Sequence, residues 1–298
     1  MKRFAAICTL LAVATLGFAA GTREDGDFSY DGIHELEISG ETFDVHIQGT
    51  RSNTTSLEIR NYPDNYTVYH SRSGDGLRIW VEREFSLFSR PHHGELVLMV
   101  PGDVRLVVDN STGDVEVRNI ASDLMDLETS TGDIFVADSS ASFRVHSATG
   151  DVEISDCDGE IDVTTTTGEI YVERMDGDIE ASSSTGRQEY RDIVGDLLAH
   201  SSTGDMEIDH FRGALHLASS TGSQSGRDVE LTGDCVFETS TGNIEFDLVQ
   251  DVVDLEFDLR STTGSLRVGR EQSQRRLFLG GRGYRVEGKS STGSQHYY

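Results

Sequence analysis

Proline, lysine and cysteine are almost missing from this chain of 298 residues. It has three prolines, two lysines (Lys2 and Lys289), three cysteines and a single tryptophan. So few prolines, with few helix-period patterns, point to an all-β chain. Cys8 lies inside an apolar leader, so Cys157 and Cys235 are the only cysteines after it. They stand more than four repeat units apart, far beyond the roughly 7 Å within which a disulfide closes. Cys235 reads as a small core residue and Cys157 as a turn residue. No cysteine spacing of metal type and no His-Glu-x-x-His occurs. Positive charge is scarce as well, with 52 acidic residues against 25 basic and a formal charge of −27. Such a field repels nucleic acid and anionic surfaces. It suits a salty medium, where the Debye length shrinks to about 3 Å at 1 M. After the leader no apolar run is long enough to span a bilayer, so no transmembrane segment is expected once the leader is cleaved.

Residues 1–20 have the plan of a signal peptide. Lys2 and Arg3 give the basic start, Phe4 to Leu16 the apolar run, and Gly17-Phe18-Ala19 the small residues for cleavage. Cys8 sits within the apolar run and not at its end, which argues against lipoprotein processing. The expected location is exported: periplasm, cell surface or extracellular space.

The chain is rich in one phrase, Ser-Thr-Gly or a close variant, repeated ten times. It opens at Ser111-Thr112-Gly113-Asp114 and closes at Ser291-Thr292-Gly293. From Gly132 to Gly222 the glycines fall every 18 residues, and Gly159, Gly177, Gly195 and Gly213 fall midway. After each glycine, apolar residues take the second and fourth positions, as in Val152 and Ile154 or Ile161 and Val163. Alternation bounded by glycine marks a half-buried strand, and a short fixed period marks a stacked repeat. The expected fold is an all-β, single-stranded β-solenoid (β-helix) with coils of about 18 residues, two nine-residue half-turns each. Since each coil contacts only its neighbours, order must be cooperative along the axis.

Four segments are expected: the signal peptide at 1–20, an N-terminal β-strand segment at 21–110 continuous with the solenoid, regular repeats at 111–264, and capping strands at 265–298. The N-terminal segment reads as strands at His34–Ile38, Phe43–Gln48, Ser56–Arg60, Tyr66–His70, Leu77–Phe85 and Leu96–Val100. Pro101-Gly102-Asp103 then leads into Val104–Val108. Phe85 to Gly94 is the longest irregular-looking connection. Towards the end the glycine spacing stretches to 20, 22 and 29, as expected where a solenoid is capped.

The strand-rich start, the Pro101–Asp103 entry and units such as Ser111–Val117 resemble the putative-adhesin β-strand-repeat family (domain of unknown function 4097), related to the head domains of putative autotransporter adhesins. The resemblance covers about residues 30–298. It implies an exported β-solenoid with an adhesive or cell-envelope role and no family-wide catalytic residues. The chain departs from an autotransporter in that no barrel of translocator size follows the repeats.

Four kinds of chemistry could reside on the repeats. Asp114, Asp133, Asp151 and Glu169, with Asp205 further along, should stack after the turn, where Ca²⁺ could relieve their repulsion. The Gly-Gly-x-Gly-x-Asp pattern of calcium solenoids is absent, and a solvated acidic turn is the simpler account. Thr129-x-Thr131, Thr165-x-Thr167 and Thr239-x-Thr241 could form an ice-binding ladder, but their parity is inward and fits a hydroxyl ladder closing the turns. A polysaccharide-active enzyme needs clustered bases, whereas His146 and His200 stand three coils apart. Phe135 and Tyr171, outward and flanking Glu153, could grip a sugar chain. Arg187-Gln188-Glu189-Tyr190 loses the apolar pattern and reads as a tolerated defect. The sequence therefore predicts no catalytic, cofactor-binding or metal residues and no cofactor, with Ca²⁺ the cation to test. The expected function is an exported non-catalytic, adhesin-like surface or envelope binding or structural protein, with an envelope, protein or glycan partner unknown. The alternatives are a periplasmic envelope-stress or structural component, a calcium-binding solenoid and, remotely, a polysaccharide-active enzyme.

Overall fold

Backbone groups find their partners here between coils. The computed structural model of the chain describes residues 20–22, 26–62, 65–83 and 94–298. The predicted signal peptide, apart from Ala20, and nearly all of the Phe85–Gly94 connection lie outside these residues. Every second strand pairs in parallel: Ser140–Thr149 with Ile161–Thr167, and Val152–Asp158 with Ile170–Asp176. The result is two parallel faces. Face A carries strands such as Ile161–Thr167, Ile179–Thr185 and Leu197–Thr203, and face B strands such as Ile170–Asp176, Gln188–Val194 and Met206–Gly213. The inward residues of both faces form one continuous core, from Ile33 to Tyr297. The all-β solenoid expected from the 18-residue period is the fold.

Two devices turn the chain. At the Ser-Thr-Gly corner, glycines stack on one another with φ near +145°. On face B a second corner uses non-glycine residues in the left-handed region: Asn119, Asp138, Asp156, Arg174, Asp192, His210 and Asp228, all with φ between 51° and 57°. Asn and Asp tolerate this conformation best, which accounts for most of that row. The kink breaks the strand alternation, so Ser155 and Cys157 on either side of Asp156 are both buried. Cys157 is therefore a core residue and not the turn residue its neighbours suggested. Cys235 takes the inward slot expected of it.

The coils are not stacked in chain order at either end. The coil built by Glu35–Glu41 and Asp44–Thr50 lies between the coil of Gly76–Arg83 with Glu95–Pro101 and the coil of Arg105–Thr112 with Val115–Arg118. Likewise Arg285–Thr292 and Gln295–Tyr297 slot between Cys235–Thr241/Ile244–Leu248 and Glu256–Thr263/Leu266–Val268. Among the described residues twelve coils stack in this way. Beyond them the pairing turns antiparallel. Tyr66–Ser73 and Thr54–Arg60 cover one end, with Ala20–Thr22 and Gly26–Asp31 outermost. Arg276–Leu279 and Glu271–Ser273 cover the other. The stretched spacing from Gly264 to Gly293 is this excursion: the chain leaves to cap the stack, then returns one layer inside it.

Candidate binding faces

The acidic turn ladder is bound into the backbone. Oδ1 of Asp114 accepts the Asp133 amide at 2.9 Å, Asp133 accepts that of Asp151 at 2.8 Å, and Asp151 that of Glu169 at 2.7 Å. Asp205 accepts the Ser223 amide at 2.7 Å. Each carboxylate thus caps the next coil. Stacked carboxylates at about 5 Å repel by about 1 kcal/mol in water, and the amide contacts work against this repulsion.

The hydroxyl row beside it is buried in part. Thr129, Ser147, Thr165 and Thr239 point inward and donate to the carbonyls of Gly113, Gly132, Gly150 and Gly222 at 3.1–3.4 Å. This is the expected ladder closing the turns. The second threonine of each pair departs from the expected parity: Thr131, Thr167 and Thr241 are exposed, because the strand turns outward before the glycine.

Phe135, Glu153 and Tyr171 occupy one outward row of face B in adjacent coils, as the period required. Each ring has a guanidinium over it. The Arg118 guanidinium lies 4.4 Å from the Phe135 ring centre, and that of Arg191 5.7 Å from Tyr171. Burial, then a hydrogen bond with Glu173, raises the Tyr171 pKa. Arg118 also holds Glu116 below the usual carboxylate range, and His46 donates to the same carboxylate at 2.9 Å.

The coil that seemed to lose its pattern keeps its core. Gln188 and Tyr190 fill the two inward slots and are fully buried. The Tyr190 hydroxyl donates to Gln188 Oε1 at 2.9 Å, and Gln188 Nε2 donates to Ser183 Oγ and the His200 carbonyl. Burial alone pushes the Tyr190 pKa up. This is a satisfied polar layer and not a defect. Gln224 and Gln295 take the same slot in later coils.

One depression on face A was not singled out from sequence. It is a groove of about 410 Å³ on face A, lined by Leu124, Arg144, Asp162, Glu180, Leu198 and His216 with carboxylates along its turn side. Arg144, Asp162, Glu180, Leu198 and His216 are consecutive members of one register row. Reading the sequence every 18 residues from Arg144 would have found it. Arg144 bonds Asp126, and Asp178 and Asp196 cap the following turns.

His146 and His200 share one row three coils apart, as expected. Among the described residues one group brings metal-type side chains together, Asp209, His210 and Asp228. His210 Nδ1 is 3.3 Å from Asp209 and its Nε2 3.6 Å from Asp228, while Arg227 Nε lies 3.6 Å from the same Asp209 oxygen. Asp209 is half-buried, while His210 and Asp228 are exposed. Both cysteine thiols are free and buried, and burial raises each to about 11, so neither is a nucleophile at neutral pH.

Fold and faces together define a parallel β-solenoid whose turn chemistry is structural. The chain belongs to the Toastrack DUF4097 family, whose profile matches residues 33–190. No curated protein matches it. Among solved structures it is similar to a putative adhesin from Bacteroides fragilis, at 14% identity over 76% of this chain and 98% of that one, with a TM-score of 0.45. A putative adhesin from Parabacteroides merdae shows 12% identity over 76% and 95%, with a TM-score of 0.33. A putative cell adhesion protein from Clostridium sporogenes shows 8% identity over 92% and 99%, with a TM-score of 0.21. Among the described residues no helix is long and apolar enough to cross a membrane.

Proposed function

We propose that this chain is an exported, non-catalytic β-solenoid that serves as an adhesin-like binding or structural protein of the cell envelope. The supporting observation is how its side chains are used. Carboxylates and hydroxyls at the turns bond the next coil, and the outward aromatics lie under arginines. The groups whose pKa burial moves furthest, Cys157, Cys235, Tyr190 and Tyr297, are in the core and away from any groove. Left for a partner is a long ribbon of exposed polar rows, with the face A groove as a depression holding apolar side chains on an acidic rim. Such a surface fits an extended macromolecular partner better than a small substrate.

The test is protease shaving of intact cells beside a periplasmic extract, with immunodetection of this protein. Loss from intact cells is the expected result. Protection until the outer envelope is opened would remove the adhesin-like reading and leave a structural role inside the envelope.

A further inference from the structure

The two ends of the solenoid differ in charge, and among the described residues both end in strands with one unpaired edge. The outermost layer at the C-terminal end, residues 269–284, carries Arg270, Arg275, Arg276 and Arg282 against Glu271 alone, in a chain with twice as many acids as bases. Arg276 shares the buried Asp258 with Arg260 and Arg285, so one carboxylate faces three guanidiniums. Arg270, Arg275 and Arg282 are exposed and make no ion pair among the described residues. Asp251 and Asp254 border the layer at one corner, where the 280–284 loop bonds back to the Asp254 carbonyl. At the opposite end the outermost described strands, Ala20–Thr22 and Gly26–Asp31, carry Asp27 and Asp31 and no basic residue. Both aspartates are exposed.

Strand pairing shows which side of each end is open. Arg276–Leu279 pairs only with Glu256–Thr263, and Glu271–Ser273 only with Leu266–Val268. Among the described residues Gly26–Asp31 pairs only with Thr54–Arg60, and Ala20–Thr22 only with Tyr66–Ser73. Each therefore leaves a row of backbone donors and acceptors facing along the axis, the template another strand would pair with. Phe278 stands 57% exposed on the basic edge.

We propose that copies of this chain associate head to tail, the basic C-terminal end of one meeting the acidic N-terminal end of the next. Two like ends would oppose arginines to arginines or aspartates to aspartates. Opposite ends attract and supply each other's missing strand. A partner with no strand of its own, such as a lipid surface, would leave the edge groups unpaired. The net charge of −27 does not prevent the contact. Twelve coils at about 4.8 Å span on the order of 55 Å, several times the Debye length of about 8 Å at physiological salt, so the ends feel each other and not the distant bodies. A heterologous contact of this kind does not close, and it builds rods.

Sedimentation velocity of the full chain across a wide concentration series at physiological salt tests this. The expected result is a mass that rises with concentration in steps of one chain, with rods lengthening at constant width in electron micrographs. Arg270→Glu, Arg275→Glu and Arg282→Glu together should raise the concentration for half-assembly by about tenfold or more, as should Asp27→Arg with Asp31→Arg. The chain carrying all five changes restores opposite signs and should assemble again. Melting temperatures equal to the parent's show that each variant folds, and neutral Gln and Asn versions serve where a reversed variant does not. A parent that stays monomeric throughout, or assembly indifferent to the reversals, overturns the proposal and leaves the charges as edge protection. Failure of the five-fold variant to recover, with its melting intact, overturns it equally.

Discussion

Gly168 has no room for a β-carbon. Its φ is +148°, and a Cβ there would stand 1.9 Å from the carbonyl oxygen of Gly150 one coil below. Gly168→Ala should cost about 3 kcal/mol or more, read as a lower denaturant midpoint, while Gly74→Asn should cost little because nothing lies within 4 Å of that position. His70 sets a second expectation. It is buried against Phe28, its ring bonded to the Tyr30 hydroxyl, and its Nε2 has no partner. Burial lowers its pKa, so between the folded and unfolded values the unfolded chain binds the proton. Stability is thus full above the unfolded value of about 6.5 and declines as pH falls through that value towards the folded one. His70→Gln should flatten this slope in melts taken from pH 8 to pH 5. At this scale the sequence was legible where the alternation is strict, as at Val152, Ile154 and Cys235. It misled at Cys157, because the kink at Asp156 inverts the parity of the residues after it, and an aspartate in the left-handed region looks like any surface aspartate.

Strand elements were the most legible level. His34–Ile38, Phe43–Gln48 and Leu96–Val100 lie within or beside the strands Glu35–Glu41, Asp44–Thr50 and Glu95–Pro101, because period-two burial is written directly in residue type. Gly26–Asp31 was missed, being an edge strand whose burial only half alternates. The strand Gln188–Val194 shows that a polar residue at an inward position can still be core. Gln188→Leu should leave the Tyr190 hydroxyl buried without an acceptor and cost about 1–3 kcal/mol; adding Tyr190→Phe should recover the part owed to that hydroxyl, while Ser183 and the His200 carbonyl still lack the Gln188 donor. A double-mutant cycle by urea unfolding measures this coupling. The face A groove was hidden for a different reason. Its members are 18 residues apart in sequence, and only their adjacency in the stack makes Leu198 and His216 neighbours of Asp162 and Glu180.

For the whole molecule the period revealed the stack but not its order. Ser240-Thr241-Gly242, Thr262-Thr263-Gly264 and Ser291-Thr292-Gly293 are chemically equivalent phrases, so nothing in their wording says which pairs with which. The chain chooses to insert the last between the first two. Removing residues 285–298 should therefore withdraw a middle layer, leaving two coils without their partners. The expected outcome is a chain that loses cooperative melting or goes insoluble, by calorimetry and solubility, where loss of an outermost coil would only shorten a solenoid.

The same insertion decides how the molecule would bear load. Force applied through Tyr298 does not peel an end strand bond by bond. It draws Gln295–Tyr297 and Arg285–Thr292 lengthwise between parallel neighbours on both sides, so that many hydrogen bonds must give way together. Under a pull along its strands, the C-terminal threading is a mechanical clamp.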